Sequence, residues 1–164
     1  MTREEQLSIQ KDRMRYIKNT FSSGFALLAI LFDVFYFVNI YRSDVGTYYY
    51  RILIGVSVIY NLVFMLAAFL ASEGIKIYMK RYAYLLLVIG SLQIVRIFIL
   101  PMQAHSAIAN VQGVDTIVMQ NSQFTFVVSC LVISAICCFI SALVGIRKTN
   151  MLNEHLKATG EKIA

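Results

Sequence analysis

The chain reads as an all-α fold, a bundle of four membrane-crossing helices with both termini on one side, and three observations predict it. The apolar fraction is 59% and the charged fraction 15%, against roughly 45–50% and about 25% in soluble chains. The apolar residues collect in four blocks of 21 to 23 residues, at 21–41, 52–72, 82–102 and 124–146. At ~1.5 Å per helical residue each block crosses a hydrocarbon core of about 30 Å. The basic residues fall overwhelmingly on one side of these blocks. A membrane β-barrel would need ~10-residue segments of strict alternation, and no such run of segments occurs.

Residues 1–20 precede the first span. Thr2-Arg3-Glu4-Glu5 has the form of a capping box, which predicts an amphipathic helix running to about Lys18. Leu7, Met14, Ile17 and Phe21 recur at helical spacing, so this segment is expected to lie at the inner interface or to extend the first span. The first block follows twenty polar residues and lacks a small-x-small cleavage site, so it is expected to be a retained span. No lipidation motif accompanies it.

Orientation follows from charge. Twelve Lys and Arg residues lie before span one, between spans two and three, or after span four. Only Arg42 and Arg51 lie in the first outer loop, and none lies between Gln103 and Gln123. That asymmetry predicts cytoplasmic termini. The net charge of +6 needs no nucleic-acid partner, because the basic residues are interspersed with Glu4, Glu5, Asp12 and Glu154 and no recognition module is present. Membrane lipids are the expected partner of that surface.

The loops differ in kind. Tyr48-Tyr49-Tyr50 sits at the outer edge of span two and is expected in the interfacial aromatic belt. A short turn from Glu73 to Arg81 makes spans two and three antiparallel neighbours. Pro101 is expected to end span three. The second outer loop carries one charge, Asp115, and its apolar stretches 107–111 and 116–119 are expected to pair as a small hairpin. Such a hairpin is marginal in water, so Ala107, Val111, Val114, Ile117 and Met119 are expected to dock on the bundle or on a protein partner. Residues 147–164 form a short tail, in which 150–158 reads as a separate helix.

Inside the membrane two constellations stand out. An ionisable group at the bilayer centre costs about 2.5–3.5 kcal/mol on insertion scales, so each requires a reason. Counting from the cytoplasmic ends at the helical rise, Asp33 lies at about 18 Å, Asn61 at about 17 Å, Arg96 at about 21 Å and Ser134 at about 18 Å, with Gln93 one turn below Arg96. One layer therefore collects a polar group from every span. An Asp33–Arg96 ion pair, with the other three filling the remaining donors and acceptors, is the expected arrangement. In span four, Cys130, Ser134, Cys137, Ser141 and Gly145 recur every three or four residues, a small-residue face for close helix packing within the bundle or against a second chain.

Catalytic chemistry has no inventory here. His105 and His155 lie outside the spans, so no bis-histidine haem site can form, and neither metal-ligand spacing nor a nucleophile motif occurs. No metal or cofactor is expected. The three cysteines all lie within span four, which argues against a quinone-linked thiol oxidase. A small multidrug transporter would carry a span-one glutamate where this chain has Asp33, and would lack the opposing Arg96. The two halves do not mirror each other as an inverted-repeat transporter would. The sequence therefore predicts a non-catalytic accessory or assembly subunit of a larger membrane complex, with a protein partner in the membrane or a homo-oligomer. The alternative is a small oligomeric ion- or proton-coupled transporter or channel centred on Asp33. Compact loops without an N-x-[ST] site point to a bacterial cytoplasmic membrane.

The topology is directly testable. An extracytoplasmic reporter enzyme fused at Asp115 is expected to be active and one fused at Lys80 silent; the reverse pattern would overturn the charge argument.

Overall fold

The computed structural model describes residues 3–14, 16–40, 48–106, 108–111, 114–117 and 119–159. Among them are five helices, α1 (Arg3–Arg13), α2 (Thr20–Ile40), α3 (Tyr48–Lys76), α4 (Lys80–Ser106) and α5 (Asn121–Ala158). Two four-residue strands, β1 (Ile108–Val111) and β2 (Val114–Ile117), pair antiparallel between α4 and α5, with Ile108 opposite Ile117. The helices α2 to α5 are each long and apolar enough to cross a membrane. Their outward faces carry exposed Leu, Ile, Val and Phe, such as Ile59, Leu66, Val88 and Leu143. That is the surface a bilayer solvates.

The four long helices form a closed square. α2 packs on α3 and α5, and α4 packs on the same two, so α2 and α4 occupy opposite corners. Small residues permit the approach: Ala26, Ala29, Ala68, Ala71, Ala83 and Ala142 are all buried in one core cluster. A second cluster closes the other end around Tyr36, Ile40, Leu100, Val127 and Met119.

Several boundaries differ from those read in the sequence, each for a physical reason. The first helix stops at Arg13, where the backbone turns and the amides of Tyr16 and Ile17 both donate to the Arg13 carbonyl. Met14, Ile17 and Phe21 therefore do not continue its face. The turn delivers Asn19 to the bundle, where it is 2% exposed. Its amide N–H donates to the Lys76 carbonyl at 3.0 Å. Its Nδ2 donates to Ser22 Oγ at 2.9 Å, and its Oδ1 accepts from Lys148 Nζ at 3.0 Å. One residue thereby ties α2, α3 and α5 together, at the end of the bundle where α1 meets the last turns of α5. Asp12 Oδ1 and His155 Nε2, 3.0 Å apart, join α1 to α5 at the same end.

Pro101 lies inside α4. A proline removes one helical hydrogen bond, yet Leu100, Pro101 and Ala104 continue the buried face, so packing carries the helix through it. The tail helix is not separate: α5 runs 38 residues without a break, about 57 Å at the helical rise, and projects well past the hydrocarbon. α3 begins at Tyr48, placing the tyrosine triplet in its first turn; the side chains of residues 48–50 lie outside the described residues. So do Thr2 of the capping box, the side chain of Leu7, residue 107 and the tail beyond Thr159.

The turn between α3 and α4 holds Tyr78 at φ 58°, a left-handed conformation costly for a residue with a Cβ. Its hydroxyl donates to the Ile17 carbonyl at 3.1 Å, so the strained turn is clamped to the α1–α2 junction.

Glycine placement gives a test of the packing. A Cβ at Gly90 would stand 3.0 Å from Cys138 Cβ, whereas nothing lies within 4 Å of one at Gly24 or Gly55. Gly90→Leu is expected to wedge α4 from α5 and cost about 1–3 kcal/mol of stability. Gly24→Ala and Gly55→Ala are expected to leave it unchanged or raised by up to about 1 kcal/mol. Thermal unfolding in detergent distinguishes the two outcomes.

Candidate functional site

The polar layer forms at the centre of the square. Arg96 of α4 reaches across the diagonal to α2, where its Nη1 donates to Asp33 Oδ1 at 3.1 Å. Gln93, one turn back on α4, donates through Nε2 to the same oxygen at 2.9 Å and accepts from Arg96 Nη1 at 3.5 Å. Arg96 Nη2 donates to Ser57 Oγ on α3 at 2.9 Å. The guanidinium carbon stands 4.2 Å from the ring centroid of Tyr36 and 4.8 Å from that of Tyr60. Cation–π attraction is worth about 2 kcal/mol or more when desolvated. Asp33 is fully buried and Arg96 only 5% exposed.

Arginine suits this position because its charge is permanent and its donors point in fixed, divergent directions. Here they address two helices at once. The negative partner is held from one side by the guanidinium and the Gln93 amide, so the pair is enclosed by hydrogen-bond donors and aromatic faces.

Not every residue read into the layer joins this network. Ser134 Oγ donates to the Ala29 carbonyl at 2.9 Å, one turn of α2 away from the carboxylate. Asn61 is fully buried, but neither of its side-chain polar atoms makes a hydrogen bond among the described residues. Its level is nonetheless that of Asp33. Ser23 Oγ and Ser72 Oγ lie 2.6 Å apart and set the antiparallel register of α2 and α3. Asp33 is ten residues on from Ser23 and Asn61 eleven back from Ser72, a mismatch of one ~1.5 Å rise. Asp33 Oδ2 and the Tyr60 hydroxyl share this condition of being buried without a protein partner. A crevice of about 140 Å³ between α3 and α4 approaches the network from outside; its walls are aliphatic, from Leu53 and Val56 to Ile99, and Ser57, Tyr60 and Arg96 line its inner end.

The small-residue face of α5 is consumed internally. Cys130, Ser134, Cys137, Ser141 and Gly145 are all buried, and Ser141 Oγ donates to the Ser22 carbonyl at 2.5 Å. Cys138, between them, meets Gly90. Of the expected docking loop, Met119 is not on the surface: it is fully buried in the core cluster with Tyr36 and Leu131. Residue 107 and the side chains of Val111, Val114 and Ile117 lie outside the described residues. No three His, Cys, Asp or Glu side chains gather to hold a metal among the described residues.

Sequence reasoning passed over Ser57, Tyr36 and Tyr60. Their signal was spacing: Ser57 stands one turn from Asn61, and Tyr36 three residues from Asp33. Asn19, Ser22, Ser23 and Ser72 were also missed, as polar residues at span edges resemble loop.

Comparison with protein-family models, with curated proteins and with solved structures finds no match in any of the three. The fold and its buried layer define a class on their own terms, a multi-pass helical membrane protein with a charged pair at its core.

The pair yields a double-mutant test. Arg96→Leu alone is expected to cost about 3–5 kcal/mol, because it strands a buried carboxylate. Adding Asp33→Leu is expected to recover most of that loss. Equal instability of the single and double variants would show that the two residues are not coupled.

Proposed function

We propose that the chain is a non-catalytic accessory or assembly subunit of a larger complex in a bacterial cytoplasmic membrane, with both termini cytoplasmic. One observation carries the reading: the only charges among the described spans' cores are spent on each other. Arg96 and Gln93 take Asp33 Oδ1, Ser57 takes the other end of the guanidinium, and two tyrosine rings flank it. A carboxylate oxygen already taken by a guanidinium and an amide donor is a poor exchanging site. Such a layer serves as a joint that fixes the relation of α2, α3 and α4. The recognition surfaces then lie elsewhere, at α1 and at the β1–β2 hairpin, whose nearly uncharged segment suits strand addition to a partner's sheet edge.

A second reading is favoured by one specific observation. Asp33 Oδ2, both polar atoms of Asn61 and the Tyr60 hydroxyl are buried without protein partners, and unsatisfied groups of this kind gather where water or ions bind. An oligomeric ion- or proton-coupled transporter or channel centred on Asp33 would use them.

Purification of the tagged chain in mild detergent separates the two. The subunit reading expects a second protein at fixed stoichiometry. Replacing residues 107–118 by a Gly-Ser linker, with Met119 kept in the core, is expected to release that protein while leaving the thermal stability of the bundle within about 1 kcal/mol. Recovery of the chain alone, with Asp33-dependent ion flux in proteoliposomes, would reject the subunit role in favour of the transporter.

A further inference from the structure

At the end of the bundle that gathers the basic residues, the α1–α2 junction leaves a cleft of about 370 Å³. That volume falls in the range of ligand sites, about 300–1,000 Å³. Arg13, Lys18 and Lys148 line it together with Met14, Ile17 and Phe21, and no acidic residue does. The acids nearest in the chain are engaged elsewhere: Asp12 faces His155, and Glu73 is paired with Lys76. Arg13 and Lys18 form no ion pair among the described residues, whereas Lys148 is anchored to Asn19 Oδ1 and stands 5.6 Å from the Phe21 ring centroid. The cleft is therefore an uncompensated concentration of positive charge with one cation held in place.

Its position selects the ligand. α2 begins at Thr20, so Lys18 stands just before the span and Phe21 just inside it. Ile17 and Phe21 are 58% and 55% exposed, an apolar edge beside the cations that a soluble anion has no use for. We propose that this cleft binds the headgroup of an anionic phospholipid, its phosphate between Arg13, Lys18 and Lys148 and its acyl chains running down past Phe21. Basic pockets at the ends of membrane helices hold such headgroups through charge that falls off within a Debye length. The Tyr78–Ile17 hydrogen bond, at 3.1 Å, keeps the cleft floor fixed to the α3–α4 turn. The site does not depend on the subunit role, because it rests on the cations and apolar edge of the cleft and needs no protein partner.

The test uses the full chain in phosphatidylcholine nanodiscs doped with increasing phosphatidylglycerol, with bound lipid read by native mass spectrometry. The double variant Arg13→Gln plus Lys18→Gln removes two exposed cations without touching a packed group. It is expected to weaken phosphatidylglycerol retention about 30-fold, from about 1 kcal/mol per basic residue removed and about tenfold per 1.4 kcal/mol. The control Arg81→Gln plus Lys157→Gln removes equal charge from the same end outside the cleft and is expected to retain the lipid as the parent does. Equal weakening by both variants would mean diffuse surface attraction and would overturn the site. Inorganic phosphate that displaces phosphatidylglycerol completely at millimolar concentration would overturn the lipid assignment, leaving a simple anion cleft. Circular dichroism of each variant in pure phosphatidylcholine checks that the helices are intact, and Lys18→Gln alone, expected to lose about fivefold, serves should the double variant not fold.

Discussion

The ion pair between Asp33 and Arg96 crosses the diagonal of the bundle, and the placement of every other span follows from that crossing. α2 and α4 share no packed seam of their own, so the pair holds them at a fixed separation, and α3 and α5 fill the two remaining corners. In lipid no hydrophobic drive pulls one helix onto another, which leaves close packing and interhelical hydrogen bonds to do so. The alanine-rich seams supply the first and the central layer the second. Ser57 then fixes the rotation of α3, because its hydroxyl must face Arg96 Nη2.

A second polar station secures the end where α1 meets the last turns of α5. Asn19 plays there the part that Arg96 plays at the centre, with its backbone amide and its buried side chain bonded to different helices. The Ser23–Ser72 and Ser141–Ser22 contacts lie one turn deeper. Between the two stations the fully buried side chains of α2 are small, Ala26 and Ala29, with Phe25 and Ile30 packed beside them. The bundle is thus fixed in register at two heights and packed by contact in between, and α2 belongs to both stations.

Span number was legible because twenty-residue apolar runs have few other uses, and the Asp33–Arg96 contact was legible because depth along a helix is arithmetic. The limits were of two kinds. Hydropathy reports where a helix is apolar, not where it ends, so the polar continuation of α5 to Ala158 and the early start of α3 at Tyr48 left no trace in it. Depth ranks residues by height but says nothing of azimuth. Asn61 and Ser134 stand at the right level, yet one finds no partner in the protein and the other bonds a backbone carbonyl. Asn19 was invisible for a related reason: a polar residue beside a span is the commonest of loop residues, and only the folded partners Lys76 and Lys148 give it a role.

The separation of these partners along the chain has a consequence for how the protein is made. Asp33 precedes Arg96 by 63 residues, and Ser22 precedes Ser141 by 119. During synthesis α2 therefore meets the bilayer carrying a bare carboxylate, at an insertion cost of about 2.5–3.5 kcal/mol, well before the residue that neutralises it has been translated. Its own apolar residues hold it in the membrane in that interval. The first span made thus waits for the third before its charge is paired, and for the fourth before Ser22 meets Ser141.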